Sequence, residues 1–170
     1  MLKVLVACIF LFFQTHCFGV NTGAGLIIVE ESDDRPRPGL MLQFGDRHYE
    51  SRFFYYARTF GPVVEHSWLL SCANNFPLPI MKHLFGSLGF AILQESTYIS
   101  FSAQDSEYNR REDRFNLGAY FGLHWTYQYW NRWFLQFGWD ATLFPAGTTG
   151  GILLATGRKQ LITFSSGYRW

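Results

Sequence analysis

The sequence predicts an all-β fold, an antiparallel up-and-down transmembrane β-barrel of eight strands, with ten strands as the alternative. Three observations support this. Apolar and polar side chains alternate through residues 114–144, which is the period of an extended strand. Aromatic residues make up 19% of the chain, more than one small soluble core can hold. After the first 19 residues no apolar run has the length of a membrane helix, so strands would have to make any crossing.

The alternation through 114–144 divides into two halves that predict a membrane hairpin. The apolar face of the first half comprises Phe115, Leu117, Ala119, Phe121, Leu123, Trp125 and Tyr127. That of the second comprises Trp133, Leu135, Phe137, Trp139, Ala141 and Leu143. Soluble sheets also alternate, but the length of each half, the near absence of charge and the Trp and Tyr near the ends favour strands that cross hydrocarbon between aromatic girdles. Trp139 is then expected to face lipid, and Asp140 the lumen.

Residues 1–19 predict a signal peptide. Lys3 precedes an apolar run over 4–13, which is about half of the ~20 residues that a helix needs to span a bilayer. We expect cleavage near Gly19. Removal of this segment leaves Cys72 as the only cysteine, so the exported chain would contain no intramolecular disulfide.

The rest of the chain is expected to form an N-terminal lead-in or partial strand over 20–38 and a barrel over 39–170. The expected strands are 39–45, 52–60, 63–72, 83–103, the two halves of the central hairpin, 152–156 and 161–170. A bulge or a turn at Glu95 and Ser96 is expected within 83–103, because the alternation changes parity there. Residues 105–113, with six charges, are expected to be a solvated loop, and 157–160 a polar turn. Ten strands result if 20–31 joins the barrel and 83–103 splits.

The C-terminal strand carries a resemblance to a known class. Ile162, Phe164, Tyr168 and Trp170 form one apolar row that ends on an aromatic residue. This row resembles the recognition signal of outer-membrane β-barrel proteins, and Gly167-Tyr168-Arg169-Trp170 resembles the Gly-x-Tyr-Arg-Phe ending of opacity or adhesin-type barrels, with Trp in place of Phe. The resemblance implies an outer-membrane location, insertion by the outer-membrane assembly machinery with Phe164, Tyr168 and Trp170 as signal, and contact with outer-membrane lipid and lipopolysaccharide.

Asp140 predicts a structural charge cluster in the lumen. It lies in an otherwise uncharged strand on the inward face, where an unpaired carboxylate would be costly. The expected inward partners are Arg58 and Arg169, with Arg52 as a third candidate and Glu65 in the same cluster. An eight-stranded barrel is filled by side chains, so conduction would require the wider count.

An enzyme is the alternative function. Lipid A palmitoyltransferases and lipid A deacylases resemble such barrels and use His and Ser near the membrane surface. Glu65, His66 and Ser67 are adjacent, but neighbours on a strand point to opposite faces, so His66 and Ser67 cannot meet without a bulge. His124, on the inner face, could meet a Ser from another strand. The His-x-Ser-Asn motif of the deacylases is absent, so Ser67 and His124 remain the only catalytic candidates.

Other classes have less support. A formal charge of +1 without long charged blocks gives no support for nucleic acid binding. The four His after the signal peptide are scattered, with no carboxylate or Cys at ligand spacing, so neither a metal nor a cofactor is expected. A secreted lipocalin-like barrel is the third possibility, but the Gly-x-Trp typical of lipocalins is missing near the first strand. The expected role is therefore structural or surface-interactive.

Overall fold

The computed structural model describes residues 20–31, 36–103, 106–145 and 155–170. They form a closed barrel in which each strand pairs antiparallel with its neighbours in sequence and the first pairs with the last. The strands are β1 (Asn21–Glu31), β2 (Arg37–Gly45), β3 (Tyr49–Phe60), β4 (Val63–Pro77), β5 (Leu84–Ala103), β6 (Ser106–Trp130), β7 (Trp133–Pro145) and β8 (Ala155–Arg169). The predicted fold class, an all-β antiparallel barrel of eight strands, is confirmed.

The first strand corrects the expectation of a lead-in over 20–38. β1 is a complete barrel strand, paired from Asn21↔Gly45 with β2 and from Asn21↔Arg169 with β8. Its alternation is faint in the sequence because both faces are apolar: Leu26 points outward and is 63% exposed, while Ile27 points inward and is 1% exposed. The signal peptide expected over 1–19 lies outside the described residues.

The last strand corrects the expectation of a turn over 157–160. β8 runs without interruption through these residues, and Lys159 points inward and is buried. The count of eight is therefore reached because β1 joins the barrel and the last two expected strands are one. The start of the expected strand 152–156 lies outside the described residues. The backbone N–H of Arg169 donates to Arg132 O at 2.8 Å. The turn at Asn131 and Arg132 therefore lies at the end of the barrel that holds Val20 and Trp170. We refer to this end as the terminal end and to the opposite one as the far end.

The sixth strand corrects the expectation of a loop over 105–113. Residues 106–113 belong to β6 and pair with β5, beginning at Ala103↔Ser106, and no register shift interrupts that pairing. The bulge or turn expected at Glu95 and Ser96 is therefore absent. β7 pairs with β6 only from Ala119 onward, so among the described residues 106–118 pair with β5 alone. This stretch, the upper part of β6, extends beyond β7 at the far end.

The interior of the barrel contains the apolar core. Its members are Ile27, Val29, Met41, Phe54, Tyr56, Leu69, Ala73, Ala91, Leu93, Tyr120, Phe144 and Leu161. Large apolar side chains on the outer face are exposed instead, among them Leu40, Leu117, Leu123, Phe137, Trp139, Ile162 and Phe164. Within the described ranges, no helix has the length and hydropathy of a membrane span.

Candidate functional site

Arg52 is the centre of a buried polar network that crosses the lumen. It points inward from β3 and is 1% exposed. Its Nε donates to Glu50 Oε1 at 2.8 Å, its Nη1 to Asp140 Oδ2 at 2.9 Å, and its Nη2 to Gln136 Oε1 at 3.0 Å. We refer to the network as the Arg52 cluster; its members are Glu50, Arg52, Asn75, Ser87, Tyr120, His124, Gln136 and Asp140.

Asp140 is the carboxylate that balances this guanidinium. It is completely buried, and besides the Arg52 contact its Oδ1 accepts from the Tyr120 hydroxyl and lies 2.6 Å from His124 Nε2. A buried carboxylate is tolerated when it is both paired and hydrogen-bonded, which is the case here. The site is therefore a fully engaged ion pair inside the barrel.

Two glycines create the space for His124 and Asp140. Gly122 lies opposite Asp140, and Gly138 lies opposite His124, in the pairing of β6 with β7. A Cβ on Gly122 would come within 2.4 Å of His124 Cε1, and one on Gly138 within 2.4 Å of His124 Cδ2. This reciprocal pattern, each polar side chain facing a glycine across the hairpin, is the signal in the sequence that could have located the cluster.

Ser87, His124 and Asp140 form a row with the composition of a catalytic triad. Ser87 Oγ lies 3.0 Å from His124 Nδ1, and His124 Nε2 lies 2.6 Å from Asp140 Oδ1. In a working triad the imidazole accepts the serine proton. Here the Ser87 hydroxyl donates its proton to Asn75 Oδ1 at 2.6 Å instead. The Asn75 side-chain amide is held in this orientation because its Nδ2 donates to Glu50.

The proton arrangement in this row opposes nucleophilic catalysis. With its own hydrogen on Asn75, the Ser87 oxygen accepts from the imidazole Nδ1–H, so the ring cannot act as base toward that serine. All three side chains are also buried. The row therefore acts as a continuation of the hydrogen-bond network around Arg52.

The residues predicted as one charge cluster lie at three places. Asp140 contacts Arg52, the third candidate, and not Arg58 or Arg169. Arg58 Nη2 pairs with Glu65 Oε2 at 3.0 Å, nearer the far end. Arg169 Nε donates to Asn21 Oδ1 at 2.9 Å, at the terminal end. All of these side chains face inward. The alternation along each strand therefore predicts the direction of each side chain, but it does not predict which residue the side chain contacts.

The enzyme candidates are likewise separated. Ser67 is buried on the lumen face of β4, whereas His66 is on the outer face, where its Nδ1 lies 2.8 Å from the Tyr55 hydroxyl. His124 does meet a serine from another strand, but that serine is Ser87 and not Ser67. Among the described residues, no group of three His, Cys, Asp or Glu is arranged to hold a metal ion.

A second polar group inside the barrel escapes sequence reasoning, because its lysine falls in the segment expected to be a turn. Lys159 Nζ donates to the Tyr56 hydroxyl at 2.6 Å and pairs with Glu95 Oε1 at 2.5 Å. The buried side chains of Phe54 and Leu161 lie on β3 and β8 between this group and the Arg52 cluster. Polar and apolar layers thus alternate along the interior.

The aromatic C-terminus is held against the first strand. The backbone N–H of Trp170 donates to Val20 O at 3.0 Å, and its indole Nε1 donates to Thr22 Oγ1 at 3.1 Å. The rings of Tyr168 and Trp170 pack edge to face with centroids 5.0 Å apart. Trp170 remains 68% exposed on the outer side of the terminal end, and Phe164 lies higher in the same outward row.

The upper part of β6 carries exposed charges that balance one another. Arg110 Nη2 lies 2.6 Å from Glu112 Oε1, and Arg111 Nε lies 3.1 Å from Asp113 Oδ1. Side-chain hydrogen bonds from Ser96, which has the larger effect, and from Arg111 hold the pKa of Asp113 below its usual value. Arg111 also lies over the Tyr98 ring, 5.2 Å from its centroid. This hairpin surface suits contact with water.

Comparison with known proteins identifies the fold. No protein family matches the sequence, and no curated protein matches it. Ail of Yersinia pestis, solved in complex with the heparin analogue sucrose octasulfate, is 14% identical over 90% of this chain and 99% of that chain, with a TM-score of 0.54. The fold is that of the small outer-membrane barrels.

Two further structures agree with this. Neisserial surface protein A is 13% identical over 90% of this chain and 97% of that chain, with a TM-score of 0.52. A major outer-membrane protein of Thermus thermophilus is 9% identical over 89% of this chain and 99% of that chain, with a TM-score of 0.53. At these identities the likeness concerns the fold alone.

Proposed function

We propose that the chain is a small integral outer-membrane β-barrel with a structural or surface-interaction role and a lumen closed by side chains. The observation that carries the proposal is the inverted distribution of polarity. The ion pair of Arg52 and Asp140 is buried inside the barrel, while rows of Leu, Ile, Phe and Trp are exposed around its outside. Such a continuous apolar exterior is unfavourable in water and matches hydrocarbon.

The height of the apolar exterior supports a bilayer as its surroundings. On β8 the outward row runs from Gln160 through Ile162 and Phe164 to Trp170. The ten steps from residue 160 to residue 170, at ~3.3 Å each and tilted by ~40°, correspond to about 25 Å along the barrel axis, the usual height of such a band. On β6 the outward face carries no charge from Phe115 to Tyr129, and the charged residues 110–114 begin directly beyond it.

Aromatic side chains mark both borders of this band. Exposed aromatics at the terminal end are Tyr49, Tyr129, Trp130, Trp133 and Trp170. Trp68 and Tyr98 are exposed toward the far end. Two such girdles are typical of transmembrane barrels, because amphipathic rings favour the headgroup region.

The alternating layers of the interior support a barrel without a conducting pore. Part of the apolar core, including Phe54 and Leu161, lies between the Lys159 group and the Arg52 cluster, and side chains fill an eight-stranded barrel at this level. A structural role, or contact through the far end where β5 and the upper part of β6 project, is compatible with this interior. Outer-membrane lipid and lipopolysaccharide are the proposed surroundings.

Two measurements test the proposal. Membrane fractions are run on gels before and after boiling, and we expect a shift in mobility, since a folded membrane barrel resists unfolding by detergent. The purified chain in a planar bilayer should give no ion channel. Recovery of the wild-type chain in a soluble fraction, or channel activity that depends on Asp140, would contradict the proposal.

The lipid A enzyme remains the second candidate because of the contact between Ser87 and His124. Neither residue faces lipid, and the proton of Ser87 is directed to Asn75, so the geometry favours a structural row. Mass analysis of lipid A from cells with and without the gene separates the two functions. We expect identical lipid A, whereas a change in acyl chains that Ser87→Ala abolishes would establish the enzyme.

Deletion of Trp170 tests the proposed assembly signal. We expect signal cleavage and export to continue but the amount of heat-modifiable protein in the outer membrane to fall, because the terminal ring is the last residue of the outward row. Trp130→Ala, which removes an exposed aromatic from the same end of the barrel, is the matched control and should insert normally. Normal membrane levels of the deletion would remove the support for Trp170 as signal.

A further inference from the structure

The terminal end of the barrel contains a cavity of about 520 Å³. Its inner end is formed by His124 and Gln136 of the Arg52 cluster, and its mouth lies between the β2–β3 turn and the last residues of β8. Its lining combines three chemical types. Cationic side chains, amides such as those of Gln43 and Gln128, and aromatic rings all contribute to the wall.

The carboxylates of this cavity are already engaged. Asp46 Oδ1 accepts from the backbone N–H groups of His48 at 2.6 Å and Tyr49 at 2.7 Å, which closes the β2–β3 turn. Glu50 is bound to Arg52 and to Asn75, at 2.8 and 3.0 Å. Both acids keep their negative charge, but neither forms an ion pair with a cation at the mouth.

Two guanidiniums at the mouth lack such a counter-charge. Arg169 donates to the neutral Asn21, and the positive charge of Arg47 acts on it across the cavity. No carboxylate of the described residues lies within ion-pair distance of Arg47 or Arg169. Two like charges facing one cavity repel each other, and an anion placed between them would relieve that repulsion.

Aromatic side chains provide the rest of the wall. Phe85 and Phe134, which point inward from β5 and β7, line the cavity together with the amides. A site with a few converging polar groups and apolar walls is the usual form of a small-molecule pocket. A phosphate monoester carries a charge of about −1.5 to −2 near neutral pH, so it balances two guanidiniums better than a singly charged carboxylate does.

We propose that this cavity binds a small phosphate-bearing molecule, with the phosphate between Arg47 and Arg169 and the remainder of the ligand against Phe85 and Phe134. The ligand enters from the side of the membrane on which Val20 and Trp170 lie. The site is separate from the Arg52 cluster, which forms its inner wall and contributes no free charge.

The experiment uses the full chain folded in a zwitterionic detergent. Inorganic phosphate, ribose 5-phosphate and acetate are titrated calorimetrically at constant ionic strength. We expect saturable binding of both phosphates, tighter for ribose 5-phosphate, and none of acetate. Arg47→Gln and Arg169→Gln should each weaken binding by about tenfold, the value of one charge-assisted hydrogen bond. Arg111→Gln, on the upper part of β6, is the matched control and should bind as the wild type does.

Three results would overturn the site. The first is the absence of saturable binding by the wild type. The second is equal binding by the wild type and by Arg47→Gln, and the third is equal affinity for acetate and phosphate. Because Arg169 lies beside the C-terminal residue, its variant could fail to fold; Arg47 lies in an exposed turn, so Arg47→Gln keeps the test decisive, with heat modifiability as the check on folding.

Discussion

Arg52 and Arg58 point inward from the same face of β3, yet their surroundings differ. Arg52 is 1% exposed and is bound by side chains from β3, β6 and β7. The Arg58 side chain is 35% exposed and pairs with Glu65, the residue directly opposite on β4, which is 13% exposed. A charge deep in the barrel needs partners from several strands, whereas one near the end shares its solvation with water. We therefore expect depth along the axis to decide how much each charge contributes to stability.

The largest effect is expected for Asp140→Ala. It leaves the buried guanidinium of Arg52 and the imidazole of His124 without their carboxylate, which should lower the free energy of unfolding by about 3–5 kcal/mol. Urea titration of the barrel in lipid measures this. Asp140→Asn, which keeps an acceptor for the Tyr120 hydroxyl, should lose less. A change below about 1 kcal/mol for the alanine variant would show that burial of the pair does not matter.

A smaller loss is expected for Trp139→Lys, beside Asp140 but on the outer face. A lysine there would place a charge in hydrocarbon, at a cost of about 2–4 kcal/mol near the midplane. Gln160→Lys is the control, because Gln160 accepts from the Trp139 indole at 3.2 Å and lies at the border of the apolar band. Its cost should be about 0–1 kcal/mol. Equal tolerance of lysine at both positions would contradict the assigned orientation.

The smallest effect is expected for Arg58→Ala and Glu65→Gln. The pair is partly exposed and screened by water, so each variant should change the free energy of unfolding by about 1 kcal/mol or less. A double-mutant cycle with both substitutions isolates the pair itself, and added salt should weaken its coupling. A coupling as large as the Asp140→Ala loss would remove the distinction between deep and shallow charges.

The same comparison shows why the sequence predicted the face of each charge but not its partner. Parity along a strand determines whether a side chain points inward. Arg58 and Glu65 lie on either side of the tight turn at Gly61 and Pro62, so their opposition follows from local register. Arg52 and Asp140 are 88 residues apart, and their meeting depends on the stagger of the closed barrel. Grouping Asp140 with Arg58 and Arg169 was therefore beyond what alternation can decide.

Charge is the misleading feature where the sequence misses strands. Residues 106–113 look like a loop because six of the nine residues in 105–113 are charged, yet they form part of β6. This part of the strand lies beyond the apolar band, and both of its faces can therefore carry charged side chains. Lys159 within β8 lies in a polar segment that predicts a turn, although its ammonium is paired with Glu95 in the interior. In both places the neighbouring strand that pairs with the segment determines its structure, and alternation along one segment does not reveal that strand.

The pairing of β1 with β8 has a consequence for how the chain folds. Asn21 and Arg169, which are joined by a hydrogen bond in that pairing, are separated by 148 positions. All other neighbouring strands are hairpins, whose contacts form after short loop closures. For a loop of this length the entropic cost of closure is about 4 kcal/mol by polymer scaling. We therefore expect the seam to form after the hairpins, because their prior formation shortens the flexible chain that has to be closed.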